Sequence, residues 1–494
     1  MSHLPVLIPV TLLLSAFLIV LAGFLTKGSA FPIALIGAFL SFVFSSAGLF
    51  AVLTGGELRY HLGGWAPPVG IEYVLDALSA FMATVITLVG TLVLLYSRRP
   101  VLQNLPERLV SLYALALLLL AGLAGIVVTG DLFNLFVFLE IASLSAYALM
   151  AIGDDRAPVA AFRYLILGSI AGSFYVLGVG FLYFSTGSLN MADVAQRLQA
   201  LHDSRAVAAA ATLIFIALGL KMALFPLHLW LPDAYTYAPS AVTALIAPVM
   251  TKVAAYVLLR LFLTVFQPVY LRDALPLADV MAWLAAAGIL YGSIMAIAQS
   301  DFRRMLAYSS ISQISYIGLG IGLANPVGVI GALLHVLNHA FMKACLFLVA
   351  GAIRFRTGQC EVGRFTGLGR TMPWTMAAFT LSALSMIGVP PTAGFFSKWY
   401  LLLGSIDAGN WLFVAAILLS SLLTAVYFFR VLEQVYAAHA RGNSAPADAS
   451  DPPPSMLFPI LVLAAGVLIL GLFNTLIVTR VLDPIVAPLR ALES

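Results

Sequence analysis

Hydrophobic side chains make up 62% of the 494 residues and charged ones only 9%, which excludes a soluble domain and indicates a polytopic helical membrane protein. The net charge of +4 comes without a basic face, so a nucleic-acid-binding role is excluded. The two cysteines match no CxxC pattern and predict neither a disulfide framework nor a zinc site. We expect no cofactor and no bound metal.

Apolar runs long enough to span a bilayer predict about fourteen transmembrane helices. They cover residues 4–25, 31–54, 72–95, 109–128, 130–150, 158–185, 207–229, 239–262, 276–298, 305–324, 328–353, 373–404, 409–438 and 456–479. We therefore predict an all-α fold that forms one integral membrane domain over residues 1–494. An even number of spans places both termini on one side.

The basic residues predict the orientation of the chain in the membrane. Apart from four lysines inside spans, fourteen of the basic residues fall on one face and seven on the other. The positive-inside rule then places both termini outside, and we expect a multi-pass protein of the inner (plasma) membrane. The longest linker, about 439–455, is rich in Ala, Pro and Asp and is predicted to be a flexible connector.

The lysines are placed unusually for a membrane protein. The chain has twenty arginines but five lysines, four of which lie within apolar runs: Lys221, Lys252, Lys343 and Lys398. An ammonium at mid-membrane depth costs about 2.5–3.5 kcal/mol on insertion scales. Because a desolvated ammonium can lose its proton and a guanidinium cannot, this placement favours proton chemistry. A lysine near a span end can instead reach the headgroups, but that explains central lysines poorly.

Prolines beside these lysines predict interrupted helices, the arrangement that an ion path through a membrane needs. Two prolines follow Lys221 in the seventh span, and a Pro-Pro pair precedes Lys398 in the twelfth. Broken segments five spans apart predict two inverted five-helix repeats, about 109–262 and 276–438. In the eighth span Pro248 lies one turn before Lys252 and is expected to free the carbonyl of residue 244.

Glu140 is the one glutamate in the middle of a predicted span. A buried carboxylate is either protonated or paired with a cation, and Lys221 is its expected partner within the same repeat. Such an ion pair either controls proton release from the lysine or only holds two helices together.

The eleventh span carries His335, His339 and Lys343 at spacing i, i+4 and i+8, on one face and over roughly 12 Å of membrane depth. Because histidine titrates near neutrality, this spacing predicts a chain of proton sites bridged by water. The alternative, a histidine pair that binds zinc, lacks the glutamate of HExxH and any nearby carboxylate. His228, at the predicted break, is either a further relay or a satisfied structural histidine.

Several motifs together resemble a known family. GDLFNLFVFLE, KMALFPLHLWLPDAY and SSISQISYIGL, with the lysine after the second proline break, resemble the antiporter-like subunits of respiratory complex I, membrane-bound hydrogenases and multisubunit monovalent cation/proton (Mrp) antiporters. The resemblance covers nearly the whole chain. Within this group HVLNHAFMK, and Gln313 in SSISQ, make the chain most similar to the D subunit of the Mrp antiporters.

The resemblance implies a proton-translocating subunit of a sodium/proton antiporter, a secondary transporter and not an enzyme. By that match the residues that move protons are Glu140, Lys221, Lys252, His335, His339, Lys343 and Lys398. The implied partners are other membrane subunits of a hetero-oligomeric complex, the lipid bilayer, protons, and sodium or another monovalent cation. The chain itself displays no sodium site, since only one carboxylate lies mid-span.

Two other functions stay open. One is a proton-pumping subunit of a redox-driven complex, of the complex I or membrane-bound hydrogenase type, whose redox centres would sit in partner proteins. The other is a stand-alone solute carrier with broken helices, although a single row of titratable groups suits protons better than an organic substrate.

Overall fold

The computed structural model of the chain describes residues 2–153, 156–201, 203–267, 270–271, 275–436 and 450–493. Its first half contains α1 (Leu4–Gly23), α2 (Ala30–Gly55), α3 (Ala77–Asn104), α4 (Leu109–Val128), α5 (Leu132–Ala151), α6 (Ala157–Thr186), α7 (Met191–Leu198), α8 (Arg205–Met222), α9 (Leu231–Tyr237) and α10 (Ser240–Arg260). The second half contains α11 (Leu277–Ile297), α12 (Phe302–Gly322), α13 (Pro326–Thr357), α14 (Leu368–Thr371), α15 (Pro373–Ile387), α16 (Ala393–Asp407), α17 (Trp411–Tyr436), α18 (Pro454–Leu472), α19 (Asn474–Ile477) and α20 (Asp483–Glu493). Two strands, β1 (Leu58–His61) and β2 (Glu72–Leu75), pair between α2 and α3. Residues 439–449 of the predicted linker lie outside the described residues, as do Arg272 and Arg441, two of the basic residues that set the predicted orientation.

Twelve helices of the described chain are long and apolar enough to cross a membrane, which confirms a polytopic helical membrane protein. The predicted count of fourteen is not established. The tenth predicted span is α12, which begins with two arginines and carries four serines and a glutamine. The twelfth is divided into α15 and α16, each of 15 residues and too short to span alone. The division into two inverted repeats stays a prediction.

Both predicted helix breaks are present. Helix α8 ends at Met222, Ala223 adopts a left-handed conformation (φ 62°), and helical structure resumes only at Leu231. In the second break Gly388 (φ 96°) follows α15, and α16 starts at Ala393. The last carbonyls of α8 and α15 therefore have no helical N–H to bind, which leaves them free to accept hydrogen bonds from side chains.

Pro248 does not break its helix, contrary to the expectation. Helix α10 continues from Ser240 through Pro248 to Arg260. A membrane helix tolerates an internal proline where the surrounding protein packs against it, and α10 is buried along its whole length. Helices α10, α12 and α13 are enclosed over almost their whole length, whereas α1, α2 and α6 expose apolar side chains at the periphery.

The segment predicted as the start of the third span is a strand. Residues 72–75 pair antiparallel with 58–61, with Glu72 opposite His61 and Leu75 opposite Leu58. Asp76 then caps α3 by accepting a hydrogen bond from the Ser79 N–H at 2.9 Å, so the helix begins at Ala77. The all-α prediction thus missed a small hairpin, because its apolar residues continue directly into the apolar helix.

Asp76 also fastens this hairpin to the end of α10. Its carboxylate accepts a pair of hydrogen bonds from the Arg260 guanidinium, one of them 2.7 Å long. Burial raises the pKa of Asp76, but the Arg260 charge and the hydrogen bonds from Arg260 and Ser79 outweigh it and hold the pKa at about 2.

We expect Asp76→Asn to destabilise the folded chain by about 2 kcal/mol, the equivalent of lowering the Asp76 pKa from 3.8 to about 2. Because the folded pKa is the lower one, this stabilisation is fully present above the unfolded pKa of about 3.9 and is lost as the pH falls toward 2. The measurement is the melting temperature of the purified protein at pH 7. Glu107→Gln, which breaks the exposed Lys27–Glu107 pair, is the control and should change little. Equal melting temperatures for the two variants would contradict this prediction.

Candidate functional site

Lys221 lies in the last turn of α8, beside the first break, and is buried. Its ammonium donates a 2.6 Å hydrogen bond to the Ser143 hydroxyl and lies 6.0 Å from the centre of the Tyr147 ring. A cavity of about 20 Å³ lies between this site and α10 and is large enough for one water molecule. The acceptor is a serine, which sequence reasoning missed although Ser143 follows Glu140 by one helical turn.

Glu140 is near Lys221 without forming the expected direct ion pair. The two charges are close enough to interact electrostatically, but one Glu140 oxygen (Oε1) is buried with no hydrogen-bond partner among the described residues. A Cβ placed on Gly172 of α6 would come within 2.6 Å of that oxygen, so the carboxylate rests against this glycine. The expected ion pair does not form because the Lys221 ammonium bonds instead to Ser143, which follows Glu140 by one helical turn on α5.

Lys252 sits in the middle of α10 and is 1% exposed. Its ammonium donates to the Ala247 carbonyl at 2.6 Å and approaches the Thr251 hydroxyl at 3.4 Å. It does not use the carbonyl of Ala244, which Pro248 was expected to free. The ammonium is therefore satisfied within its own helix.

The two histidines of α13 stack on each other at the centre of the chain. The ring centroids of His335 and His339 are 5.7 Å apart and nearly parallel. Nδ1 of His335 is 2.9 Å from the Ser397 hydroxyl, whereas its Nε2 and both ring nitrogens of His339 are buried without a partner in the described part of the chain. Buried polar atoms of this kind are normally satisfied by water. The charge of Lys252 acts on both rings.

Lys343 follows the histidines on α13 and reaches α12. Its ammonium donates to the Leu306 carbonyl at 2.7 Å and to the Ser309 hydroxyl at 2.5 Å. The charge of Lys252 acts on Lys343 as well as on the two histidines.

Lys398 lies at the second break. Its ammonium donates to the carbonyls of Met386 and Ile387, at 2.9 and 3.0 Å, and to the Ser421 hydroxyl at 3.1 Å. The carbonyl end of a helix carries partial negative charge, so the end of α15 stabilises the ammonium without a carboxylate. The Tyr316 ring centre lies 5.1 Å from the ammonium and 5.4 Å from the His335 ring.

His228 lies inside the first break and is buried, but none of the described contacts connects it to these residues. Its ring stacks on Phe225 at 5.5 Å and packs on Tyr291 at 4.8 Å. Neither ring nitrogen has a hydrogen-bond partner in the described segments. The structure therefore places His228 in an aromatic cluster at the break.

We call the seven other predicted residues the row, in the order Glu140, Lys221, Lys252, the α13 groups and Lys398. Electrostatic interactions connect Glu140 with Lys221, Lys252 with the α13 groups, and Lys398 with His335, and the small cavity beside Lys221 is also lined by the α10 residues that flank Lys252. All four lysines of the row are bound by hydroxyls or backbone carbonyls, and within the described ranges none forms an ion pair. The same residues contain no cluster of three or more His, Cys, Asp or Glu that could hold a metal ion. Each group of the row can gain or lose a proton.

Comparisons with known proteins identify the family. The family described as NADH:quinone oxidoreductase/Mrp antiporter, TM matches residues 129–424, and a complex I chain 5 N-terminal family matches residues 66–99. The chain is 49% identical to the NADH-quinone oxidoreductase N subunit of Desulforudis audaxviator over 98% of both chains. It is 31% identical to the Na(+)/H(+) antiporter D subunit of Alkalihalophilus pseudofirmus over 88% of both.

A solved structure shares the fold. A chain of the membrane-bound sulfane sulfur reductase, an archaeal respiratory membrane complex, superposes with a TM-score of 0.89 at 31% identity, covering 97% of this chain and 96% of that one. Fold and row together define an antiporter-like membrane subunit of the kind found in Mrp or complex I-like complexes. The chain belongs to the NADH:quinone oxidoreductase/Mrp antiporter transmembrane family.

The close approach of Gly388 to Lys398 generates a prediction. A Cβ at Gly388 would lie 3.2 Å from the Lys398 side chain, on a backbone whose φ is already positive. Gly388→Ala should therefore cost the left-handed penalty of about 1–2 kcal/mol and also displace the lysine. Gly409→Ala is the matched control, since it has φ 68° and no atom within 4 Å. The melting temperature should fall further for Gly388→Ala, and an equal fall would show that the Lys398 contact is not affected.

Proposed function

We propose that this chain moves protons along the buried row, as one membrane subunit of a multisubunit complex. The observation that carries the proposal is the bonding of the four row lysines to neutral oxygen atoms. An ammonium without a counterion in a low-dielectric interior is costly, and release of its proton removes that cost. The proton can therefore leave without an ion pair having to be broken.

The geometry of the row supports a partner at its Glu140 end. Glu140 is only half-buried, and its neighbours on α5, Val137 and Leu144, are 41% and 59% exposed. A half-buried carboxylate facing lipid would be costly at this depth. A second membrane subunit that covers this face would supply it with polar partners, and it would extend the row beyond this chain.

For the driving force we put exchange of sodium, or another monovalent cation, for protons first. This proposal rests on the similarity to an antiporter D subunit over most of both chains and on the motifs that resemble that subunit. The protein would then be a secondary transporter of the plasma membrane with both termini outside. The described residues offer no mid-span carboxylate besides Glu140, so the sodium path would lie at least partly in a partner subunit.

A second candidate is a proton-pumping subunit of a redox-driven complex. It is favoured by the 49% identity, over nearly the whole of both chains, to a protein named as an NADH-quinone oxidoreductase subunit. In that case the redox centres belong to partner proteins and the row performs the same proton transfer. Iron and acid-labile sulfide in the purified complex would favour this candidate, and collapse of a pH gradient on adding sodium would favour the first.

The decisive test measures proton flux by the purified complex in vesicles, driven either by a sodium gradient or by the redox reaction of the complex. Lys221→Ala and Glu140→Ala should each abolish the flux, because both groups serve one coupled unit, and the double variant should be no worse. Lys27→Ala removes an exposed lysine that pairs with Glu107, and it should leave the flux unchanged. Near-normal flux in Lys221→Ala or Glu140→Ala would exclude the proposal.

A positional test asks whether the Glu140 carboxylate must stay in place. Gly172→Ala introduces a methyl group that would lie 2.6 Å from Glu140 Oε1, so the carboxylate has to move while every titratable group is kept. We expect normal assembly by size-exclusion chromatography and a proton flux reduced at least about tenfold. Gly180→Ala on the same helix meets nothing within 4 Å and is the control. Equal flux in the two variants would mean that the position of Glu140 does not matter.

A further inference from the structure

A second line of buried polar side chains lies beside the row, between α12 and α17. We call it the hydroxyl seam and define it by Ser309, Ser312, Gln313, Tyr316, Ser420, Ser421, Thr424 and Tyr427. All of these except the half-buried Ser421 are buried. The two helices run antiparallel, since Tyr316 contacts Ile417 and Ser312 contacts Ser420. Sequence reasoning did not single out the α17 members.

One end of the hydroxyl seam touches Lys398. The Lys398 ammonium donates to the Ser421 hydroxyl at 3.1 Å. The Tyr316 hydroxyl lies close to the hydroxyls of Ser420 and Ser421 and donates to the Ile417 carbonyl at 3.2 Å. This end of the seam is therefore in direct contact with the terminal lysine of the row.

The other end touches Lys343. The Lys343 ammonium donates to the Ser309 hydroxyl at 2.5 Å. The Tyr427 hydroxyl lies close to Ser309 and donates to the Thr424 hydroxyl at 3.5 Å. The seam thus begins and ends on lysines of the row, and it does not pass through either histidine.

In the middle of the seam both α12 and α17 contribute polar side chains. Ser420 lies 2.8 Å from the Ser293 hydroxyl and 3.4 Å from that of Ser312. Thr424 follows Ser420 by one helical turn, a rise of roughly 6 Å that a bridging water can span. Gln313 stands on α12 between the two ends, and both of its amide atoms are buried without a partner among the described residues.

Interhelical hydroxyl contacts can also be purely structural, worth about 0.6 kcal/mol each in a membrane protein. This chain contains such a contact: Ser45 and Thr87 join α2 to α3 at 2.7 Å. That pair touches no lysine and leaves no buried amide unsatisfied. The hydroxyl seam differs on both counts, since it ends on two lysines and contains the unsatisfied Gln313, and a purely structural contact needs neither feature.

We propose that the hydroxyl seam is a second proton-conducting branch between Lys343 and Lys398, parallel to the stacked histidines. The proposal rests on the proposed function. A hydroxyl can accept a proton on a lone pair while it donates its own. Transfer starts when the Lys343 ammonium gives a proton to Ser309 and ends when Ser421 gives one to the neutral amine of Lys398. Each hydroxyl exchanges one proton for another, so one positive charge moves and no hydroxyl changes its net charge.

The test combines shape-preserving variants in the reconstituted complex, with proton flux as the readout. Thr424→Val and Tyr427→Phe together remove two seam hydroxyls, and His339→Leu interrupts the histidine branch. We expect each change to leave part of the flux and their combination to lower it by at least roughly tenfold. Thr87→Val is the matched control, because it removes a buried hydroxyl of the Ser45–Thr87 contact. It should leave the flux unchanged both in the otherwise unmodified chain and in the His339→Leu variant.

The possible results separate the two proposals. If His339→Leu alone abolishes the flux, or if the seam variants change nothing in the His339→Leu background, there is no second branch. Lys398→Ala, measured in the same preparation, must abolish the flux by either branch, and normal flux in that variant would contradict the proposed function itself. Size-exclusion chromatography of every variant shows that a loss of flux does not come from a loss of assembly.

Discussion

An ammonium group in the interior of a membrane protein must find hydrogen-bond acceptors there, because neither lipid nor bulk water supplies them. The usual solution is a carboxylate, which fixes the charge in an ion pair. This chain uses neutral oxygen atoms instead, as Lys221 does with Ser143 and Lys398 with two backbone carbonyls. The fold supplies such an acceptor to each of the four row lysines. Its two helix breaks and its buried serines serve that requirement.

The continuous and the interrupted helices of the core hold their titratable side chains in different ways. Helix α13 is continuous over 32 residues and holds His335, His339 and Lys343 at fixed spacing. The broken pairs, α8 with α9 and α15 with α16, hold Lys221 and Lys398 beside free carbonyl ends. A continuous central helix keeps the distances between these three titratable side chains constant. At the second break the free carbonyls of Met386 and Ile387 accept hydrogen bonds from the Lys398 ammonium, whereas beside the first break the Ser143 hydroxyl accepts from Lys221.

Sequence patterns predicted the features that depend on local chemistry. Long apolar runs defined the spans, and the prolines after Lys221 and before Lys398 marked the two breaks correctly. The sequence patterns failed where contacts with neighbouring parts of the fold determine the local conformation. Pro248 was expected to open α10, but close packing on all sides keeps the helix intact. The strand at residues 72–75 was read as helix, because a short apolar strand and a buried helix segment look alike in sequence.

The partners of the row lysines illustrate the same limit. Ser143 could have been found, since it follows Glu140 by one turn on the same helix face. The contact of Lys343 with Ser309 could not, because it joins residues 34 positions apart on helices whose pairing the sequence does not state. Hydroxyl side chains also give a weak signal in apolar helices, where a serine often binds only the carbonyl one turn earlier. Which serines face a lysine is therefore a property of the tertiary structure.

Glu140, the one carboxylate among the row residues, is also the one at the periphery, and this asymmetry bears on how the chain works inside an assembly. Along the interior the lysines are bonded to neutral acceptors, so under the proposed function a change of protonation there would break no ion pair. At the Glu140 end the carboxyl group lies near enough to Lys221 to act on it electrostatically, and its neighbours on α5 include the exposed apolar side chains of Val137 and Leu144. A partner subunit that places a charge near Glu140 would directly change the electric field at the Lys221 ammonium. If the row moves protons as proposed, a neighbouring subunit at this edge would act first on Lys221, and the effect would reach the central lysines through it.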